Sequence, residues 1–261
     1  MRSILKFLAI TIFSLTSLVN SQPVKLEFEY IEFEKVFELT GAVEGSYTSS
    51  AKFPVFSDDA GNAVANKINA DIAFAILGDF QGDILEGLEK SFNETSAMFE
   101  EFMGEDNGMG SEWFSDHNFS VDFQSDNIIS LTHAYSEYMG GAHGMYNIAL
   151  TSYDKSNGRA LVLSDIIDMN YEAELNKIGE LYFRQAAGID LEASLSDEGF
   201  WIEDGGFAVP YNFNLIDGGV QFFFNLYSIA PYSAGSFEFV IPYAELALIS
   251  FEGSYIFEFL K

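Results

Sequence analysis

Cysteine is absent from the 261-residue chain. That excludes disulfides, thiolate metal sites, a cysteine nucleophile and lipid attachment at an amino-terminal cysteine. Proline is scarce, with 5 residues and no run, so no stiff linker divides the chain. Basic side chains are also few: 12 Lys and Arg face 40 Asp and Glu, for a net charge of −28. Nucleic acid and anionic lipid are poor partners for such a surface, because phosphate needs Lys and Arg to displace its counterions. A cationic partner fits it better, although acidity also serves solubility alone. A Gly-x-Ser-x-Gly elbow, a Walker loop, a dinucleotide fingerprint and an EF-hand loop are all missing. Histidine occurs three times, as His117, His133 and His143, never at the i,i+4 spacing of a metalloprotease. With no clustered ligands these read as strand and turn histidines, and no metal or other cofactor is expected.

Long hydrophobic runs are lacking too. An uncharged apolar run near the start, Phe7 to Val19, is too short to span a bilayer comfortably. Arg2 and Lys6 precede it, and the small or polar Ser17, Asn20 and Ser21 close it. This is the pattern of a secretory signal peptide, residues 1–22, cut near Ser21 or Gln22. The expected location is periplasmic or secreted, with no membrane span after cleavage. Loss of Arg2 and Lys6 would make the mature chain more acidic still. Without disulfides its stability must come from its core, and the remaining length of about 240 residues can supply one.

Aromatic residues are abundant: 27 Phe, 13 Tyr and 2 Trp within a chain that is 48% hydrophobic. High charge with high hydrophobicity describes a folded protein whose acids alternate with core residues, not a disordered one. Lys25-Leu-Glu-Phe-Glu-Tyr30 shows the alternation, and its phase shifts at Ile31 and Phe33, which predicts a strand with a bulge or break. A second extended stretch runs from Val43 to Phe56, closing on Pro54, and Asn62 reads as a helix cap. Val64, Ile68, Ile72 and Ile76 then mark an amphipathic helix over 62–80, and Asp83 to Phe102 a second one. Glycines in 104–110 break it. From Trp113 to Leu163 period-two patterns predict a meander of antiparallel hairpins, including a turn at Ser156-Asn-Gly158. Asn170 is expected to cap a third helix, Tyr171 to Ala187, which stops at Gly188. A hairpin from Phe207 to Phe224 turns at Asp217-Gly-Gly219. The fold class is therefore α+β, antiparallel sheets built from hairpins with about three packed helices. The division expected after the signal peptide is an N-terminal α+β module, 23–110, and a C-terminal α+β domain, 111–261.

Two segments concentrate the residues suited to contact a ligand. Tyr138-Met-Gly-Gly-Ala-His-Gly144 combines flexible backbone with a histidine that donates or accepts. The second is the loop holding Tyr227, Pro231 and Tyr232, where tyrosine offers apolar area and a hydroxyl at small entropic cost. His143, Tyr227, Pro231 and Tyr232 are the candidate binding residues. Core and turn roles compete with that reading for each of them. No catalytic residue is singled out, since forty carboxylates make any chosen acid pair arbitrary. Ser57-Asp-Asp59 is a conceivable calcium turn without the pattern that would establish it.

Tyr138-Met-Gly-Gly-Ala-His143, a strand, the Ser156-Asn-Gly158 turn and Leu161-Val-Leu-Ser-Asp-Ile-Ile167 resemble a known block. Asp217-Gly through Phe224, Tyr227-Ser-Ile-Ala-Pro-Tyr232, Gly235 and Ile241-Pro242 resemble its closing part. The family is the extracytoplasmic domain shared by the anti-sigma factor RsiV and the non-catalytic part of the peptidoglycan deacetylase PdaC. Residues 25–110 look like the smaller conserved module that precedes that block in many members. In RsiV such a domain binds lysozyme; in PdaC the chemistry belongs to a separate deacetylase domain, which this chain does not show. It shows no sigma-binding segment either, so anti-sigma signalling is not implied. The resemblance implies an exported, non-catalytic binding protein for a cell-envelope ligand, lysozyme or peptidoglycan. The alternative is an envelope polymer hydrolase that uses carboxylates or a His-assisted metal site.

Overall fold

Acids alternating with apolar residues produce the first strand, β1 (Leu26–Leu39), which pairs antiparallel with β2 (Gly45–Asp58) along its whole length. The computed structural model describes residues 24–41, 44–59, 61, 63–104, 112–202 and 206–260. The expected signal peptide, 1–22, Asn62 and all but the first residue of the glycine-rich segment 104–110 lie outside them. The register from Leu26↔Asp58 to Leu39↔Gly45 is unbroken, so the phase shift after Tyr30 is not a bulge. It marks a change of face: Phe28 and Tyr30 are exposed on one side, while Ile31, Phe33 and Phe37 pack under the helices on the other. Strand β2 also runs through Pro54 rather than closing on it. Its pairing with β3 ends at Lys52, so no partner on that side needs an N–H from residue 54.

Helices α1 (Ala63–Leu77) and α2 (Ile84–Gly104) follow. Asp58 starts the first by accepting from the N–H groups of Val64 and Ala65 at 3.0 and 2.8 Å, and Asp83 starts the second through Leu85 and Glu86. Asp59 accepts from the Lys25 N–H at 3.0 Å, so both acids of the conceivable calcium turn serve the backbone. The i, i+4 stripe Val64, Ile68, Ile72 is buried against Phe53, Phe119, Ile129 and Leu131. Each such side chain contributes about 1.5–3 kcal/mol. The second helix sets Phe92 and Phe99 on Tyr47 and Trp113.

This two-helix crossover returns the chain to the sheet in the same direction, so β3 (Glu112–Gln124) is parallel to β2. That pair is the one departure from the all-antiparallel expectation. Strands β4 (Ile128–Tyr138), β5 (Met145–Asp154) and β6 (Arg159–Ala160) continue antiparallel, giving a six-stranded sheet in sequence order. A register shift lies between Val121 and Phe123.

The second sheet holds β7 (Phe213–Ile216), β8 (Gly219–Phe224) and β9 (Phe237–Pro242), all antiparallel. It is covered by α3 (Glu172–Ala187), whose buried Phe183 meets Phe200, Phe207, Phe224, Phe237 and Phe239. The helix ends at Gly188 with φ 70°, as its sequence predicts. Asn170 does not cap it. Its N–H and amide donate to the Asp168 carboxylate, and a 3-10 turn precedes the α-helix. A short α4 (Tyr243–Leu246) follows β9. The described residues thus form a mixed α+β fold with four α-helices and nine strands in two sheets.

Polar side chains hold the sheets together. Buried Ser130 and Ser152 bond each other at 2.8 Å; Ser130 donates to the Leu215 carbonyl and the Leu215 N–H donates to Ser152. Asn212 and Asn225 cap the outer edge of β5. The N–H groups of Leu150 and Ile148 donate to their Oδ1 atoms, and both amides donate back to the Ile148 carbonyl at 2.8 Å. Those β5 backbone groups would otherwise need another strand.

Candidate functional site

The connection from β4 to β5 turns through Gly140 and Gly141, at φ 87° and 100°. Its ends are fixed by short-range bonds, Tyr138 donating to the Gly141 carbonyl at 2.8 Å. Gly144 is required by space: a Cβ there would lie 2.8 Å from the Glu137 carbonyl oxygen. This geometry presents His143 on the surface, with its Nδ1 3.0 Å from the Gly144 carbonyl oxygen.

The loop after β8 reaches the same place from the other sheet. Tyr232 lays its ring on His143, with centroids 4.3 Å apart and planes 24° from parallel. Its hydroxyl makes a long 3.4 Å bond to the Gly144 carbonyl across 88 residues of sequence. Tyr227 joins the group at 5.6 Å from Tyr232. It has φ 62° and is the non-glycine residue with positive φ among those described. An L-residue held there costs roughly 1 kcal/mol or more, a strain the surrounding structure must maintain. Yet the Tyr227 side chain is 48% exposed, so that conformation aims a ring at solvent rather than filling the core. Pro231, also exposed, precedes the 3-10 turn that carries Tyr232. The four candidate residues therefore lie on one loop pair, three of them in direct ring contact.

The other two histidines meet on the helix side of the six-stranded sheet. His117 Nδ1 and His133 Nε2 are 3.0 Å apart, and the rings are nearly coplanar at 12° with centroids 5.2 Å apart. The rings therefore touch edge to edge, one donating and one accepting, rather than stacking. His133 stacks on Phe119 at 4.0 Å and 5°. Burial lowers both pKa values to about 4; Asp116 opposes the shift at His117, and His117 adds to it at His133. Both rings are neutral near pH 7. Among the described residues no group of three His, Asp or Glu is placed to hold a metal ion. Beside them Tyr135 donates to Glu137, and burial followed by that carboxylate pushes its phenol upward.

Asp165, within the Leu-x-Asp block, has a structural task. It takes both guanidinium nitrogens of Arg159 at 2.8 Å and the Val162 N–H at 2.8 Å. The Arg159 hydrogen bond holds its carboxyl below the usual range.

Residues 43–146 match the family model described as deacetylase PdaC, and residues 164–244 match the model for a protein of unknown function, DUF3298. These two matches bear out the resemblance to the PdaC-like, RsiV-like domain family. The aromatic cluster bridges the two matched stretches of this PdaC-like chain: His143 lies in the first, and Tyr227, Pro231 and Tyr232 lie in the second. A DUF3298 family crystal structure from Bacteroides fragilis is similar over 91% of this chain and 98% of that one, with TM-score 0.77 and 22% identity. One from Pseudomonas aeruginosa covers 90% and 98%, with TM-score 0.57 and 20% identity. These likenesses establish the fold. No curated protein matches the chain.

Sequence reasoning did not find the Asn212 and Asn225 clamps on β5. Asn212 falls inside the expected hairpin 207–224 and Asn225 directly follows it, and only the pairing of β5 shows an edge in need of donors and acceptors.

Proposed function

We propose that this is an exported, non-catalytic binding protein for a cell-envelope ligand, either lysozyme or peptidoglycan, and that the His143, Tyr227 and Tyr232 cluster is its contact surface. One observation carries the reading. Two loops distant in sequence converge so that Tyr232 covers His143 while Tyr227, at an unfavourable φ, presents its ring to solvent. Tyrosines that are rigid, amphipathic and exposed suit the centre of an interface. The family resemblance supports the ligand class, and the net charge of −28 supports a basic protein such as lysozyme, since opposite charge accelerates encounter. Periplasmic or secreted location is part of the proposal and rests on the leader-like residues 1–22. Among the described residues no helix is long and apolar enough to cross a membrane.

The test is a titration of the mature chain against a c-type lysozyme at about 150 mM and about 500 mM salt, where the screening length falls from about 8 Å to roughly half that. Binding that persists at the higher salt and weakens at least about tenfold in Tyr232→Ala is expected. Binding that vanishes with salt and is matched by an equally acidic unrelated protein would reject the lysozyme form of the proposal.

A further inference from the structure

The six-stranded sheet has two faces, and the face turned away from α1 and α2 is covered only in part. The second sheet packs on it through Ala134, Ile148, Leu150 and Phe223, toward β4 and β5. Toward β1 the face is open among the described residues. The register there places Val36, Thr48, Phe114 and Tyr138 in one row across four strands. At about 4.8 Å between strands the row is roughly 14 Å long. Val36 is 51% exposed and Phe114 39%, and the Phe114 and Tyr138 rings lie 6.5 Å apart.

Carboxylates flank this strip on both sides. One neighbouring row holds Glu38, Ser46 and Glu112; the other holds Glu34, Ser50, Asp116 and Ser136, with Tyr146 beyond them. Ser50 donates to Asp116, which keeps that carboxylate fixed beside Phe114. The cation in the next row, Lys52, is engaged with Glu32 at 3.1 Å and lies 5.3 Å from the Tyr30 ring centroid. An apolar, partly aromatic strip between two lines of acids attracts ammonium or guanidinium groups through charge and ring faces while burying intervening apolar side chains. A neutral saccharide would leave the acids without counter-charge, and an anionic surface would be repelled.

We propose that this open face binds an extended, cationic amphipathic peptide segment, about five residues of which span the strip. The strip meets the His143 loop at Tyr138, whose hydroxyl donates to the Gly141 carbonyl, but it includes none of His143, Tyr227 and Tyr232.

The probe is a fluorescently labelled peptide of about seven alternating lysines and leucines, titrated by anisotropy against the mature chain at about 150 mM salt. Val36→Ser with Phe114→Ser, and separately Glu34→Gln with Asp116→Asn, should each weaken binding about tenfold or more. Glu192→Gln with Glu198→Gln removes the same charge from an exposed stretch after α3 and should change it less than about twofold. Tyr232→Ala should leave it unchanged, which separates this proposal from the one above. Val36→Lys, on the exposed edge strand, serves if the paired serine variant melts early, and it too should weaken binding. Equal losses from the distant and local charge pairs, or full binding by Val36→Lys, would overturn the proposal. So would Phe114-dependent binding of an N-acetylglucosamine oligosaccharide in place of the peptide.

Discussion

Protonating the His117 and His133 pair should destabilise the fold, and by an amount large enough to isolate. Burial lowers both values from 6.5 to about 4. Because the unfolded chain then binds more protons than the folded one between those limits, the contribution is whole above about pH 6.5. It declines as pH falls and is gone below about pH 4. At 1.36 kcal/mol per unit, one histidine accounts for about 3 kcal/mol over that window, and about 2.5 kcal/mol between pH 7 and 4.5. The second shares its hydrogen bond with the first, so its effect does not simply add. The chain also carries forty carboxylates, and the comparison must cancel their contribution. The double variant His117→Gln, His133→Gln keeps polar side chains and removes the titration. Urea midpoints measured for both proteins at pH 7 and pH 4.5 should show a wild-type midpoint falling by roughly 1 M more than that of the variant, for a denaturant slope of about 2–3 kcal/mol/M. Parallel pH profiles would refute the reasoning, as would imidazole C–H resonances of either residue titrating near 6.5.

Two further predictions concern the edge of β5 and the strained tyrosine. Asn212→Ala removes the acceptor of the Leu150 N–H and donors to the Ile148 and Phe223 carbonyls, so thermal unfolding should report a loss of about 2 kcal/mol. Tyr227→Asn places a residue that tolerates positive φ at 62°; stability should hold or rise by about 1 kcal/mol while ligand binding falls, a split that a purely structural tyrosine would not give.

Local chemistry made much of this fold legible. The i, i+4 stripe from Val64 placed α1, Gly188 ended α3, and period-two runs located β3 to β5. What failed was long-range. The phase shift after Tyr30 looked like a bulge because one strand cannot say which of its faces meets a helix, and Pro54 looked like a terminus because its pairing partners were unknown. Asn170 looked like a cap although Asp168 accepts from it. The parallel β2–β3 pair follows from a crossover whose helices were recognised but whose return direction no local pattern records. For the candidate site, composition picked out His143 and Tyr232, but their contact is a tertiary fact. The strain at Tyr227 is another, and sequence shows neither.

Hydrogen–deuterium exchange on the mature chain tests most directly whether the loop pair is the binding surface. It would be recorded alone, with saturating c-type lysozyme and with soluble peptidoglycan fragments at about 150 mM salt. Slowed exchange across residues 138–146 and 225–236 with one of the two ligands is the predicted result. Unchanged exchange in both segments with both ligands would contradict the account.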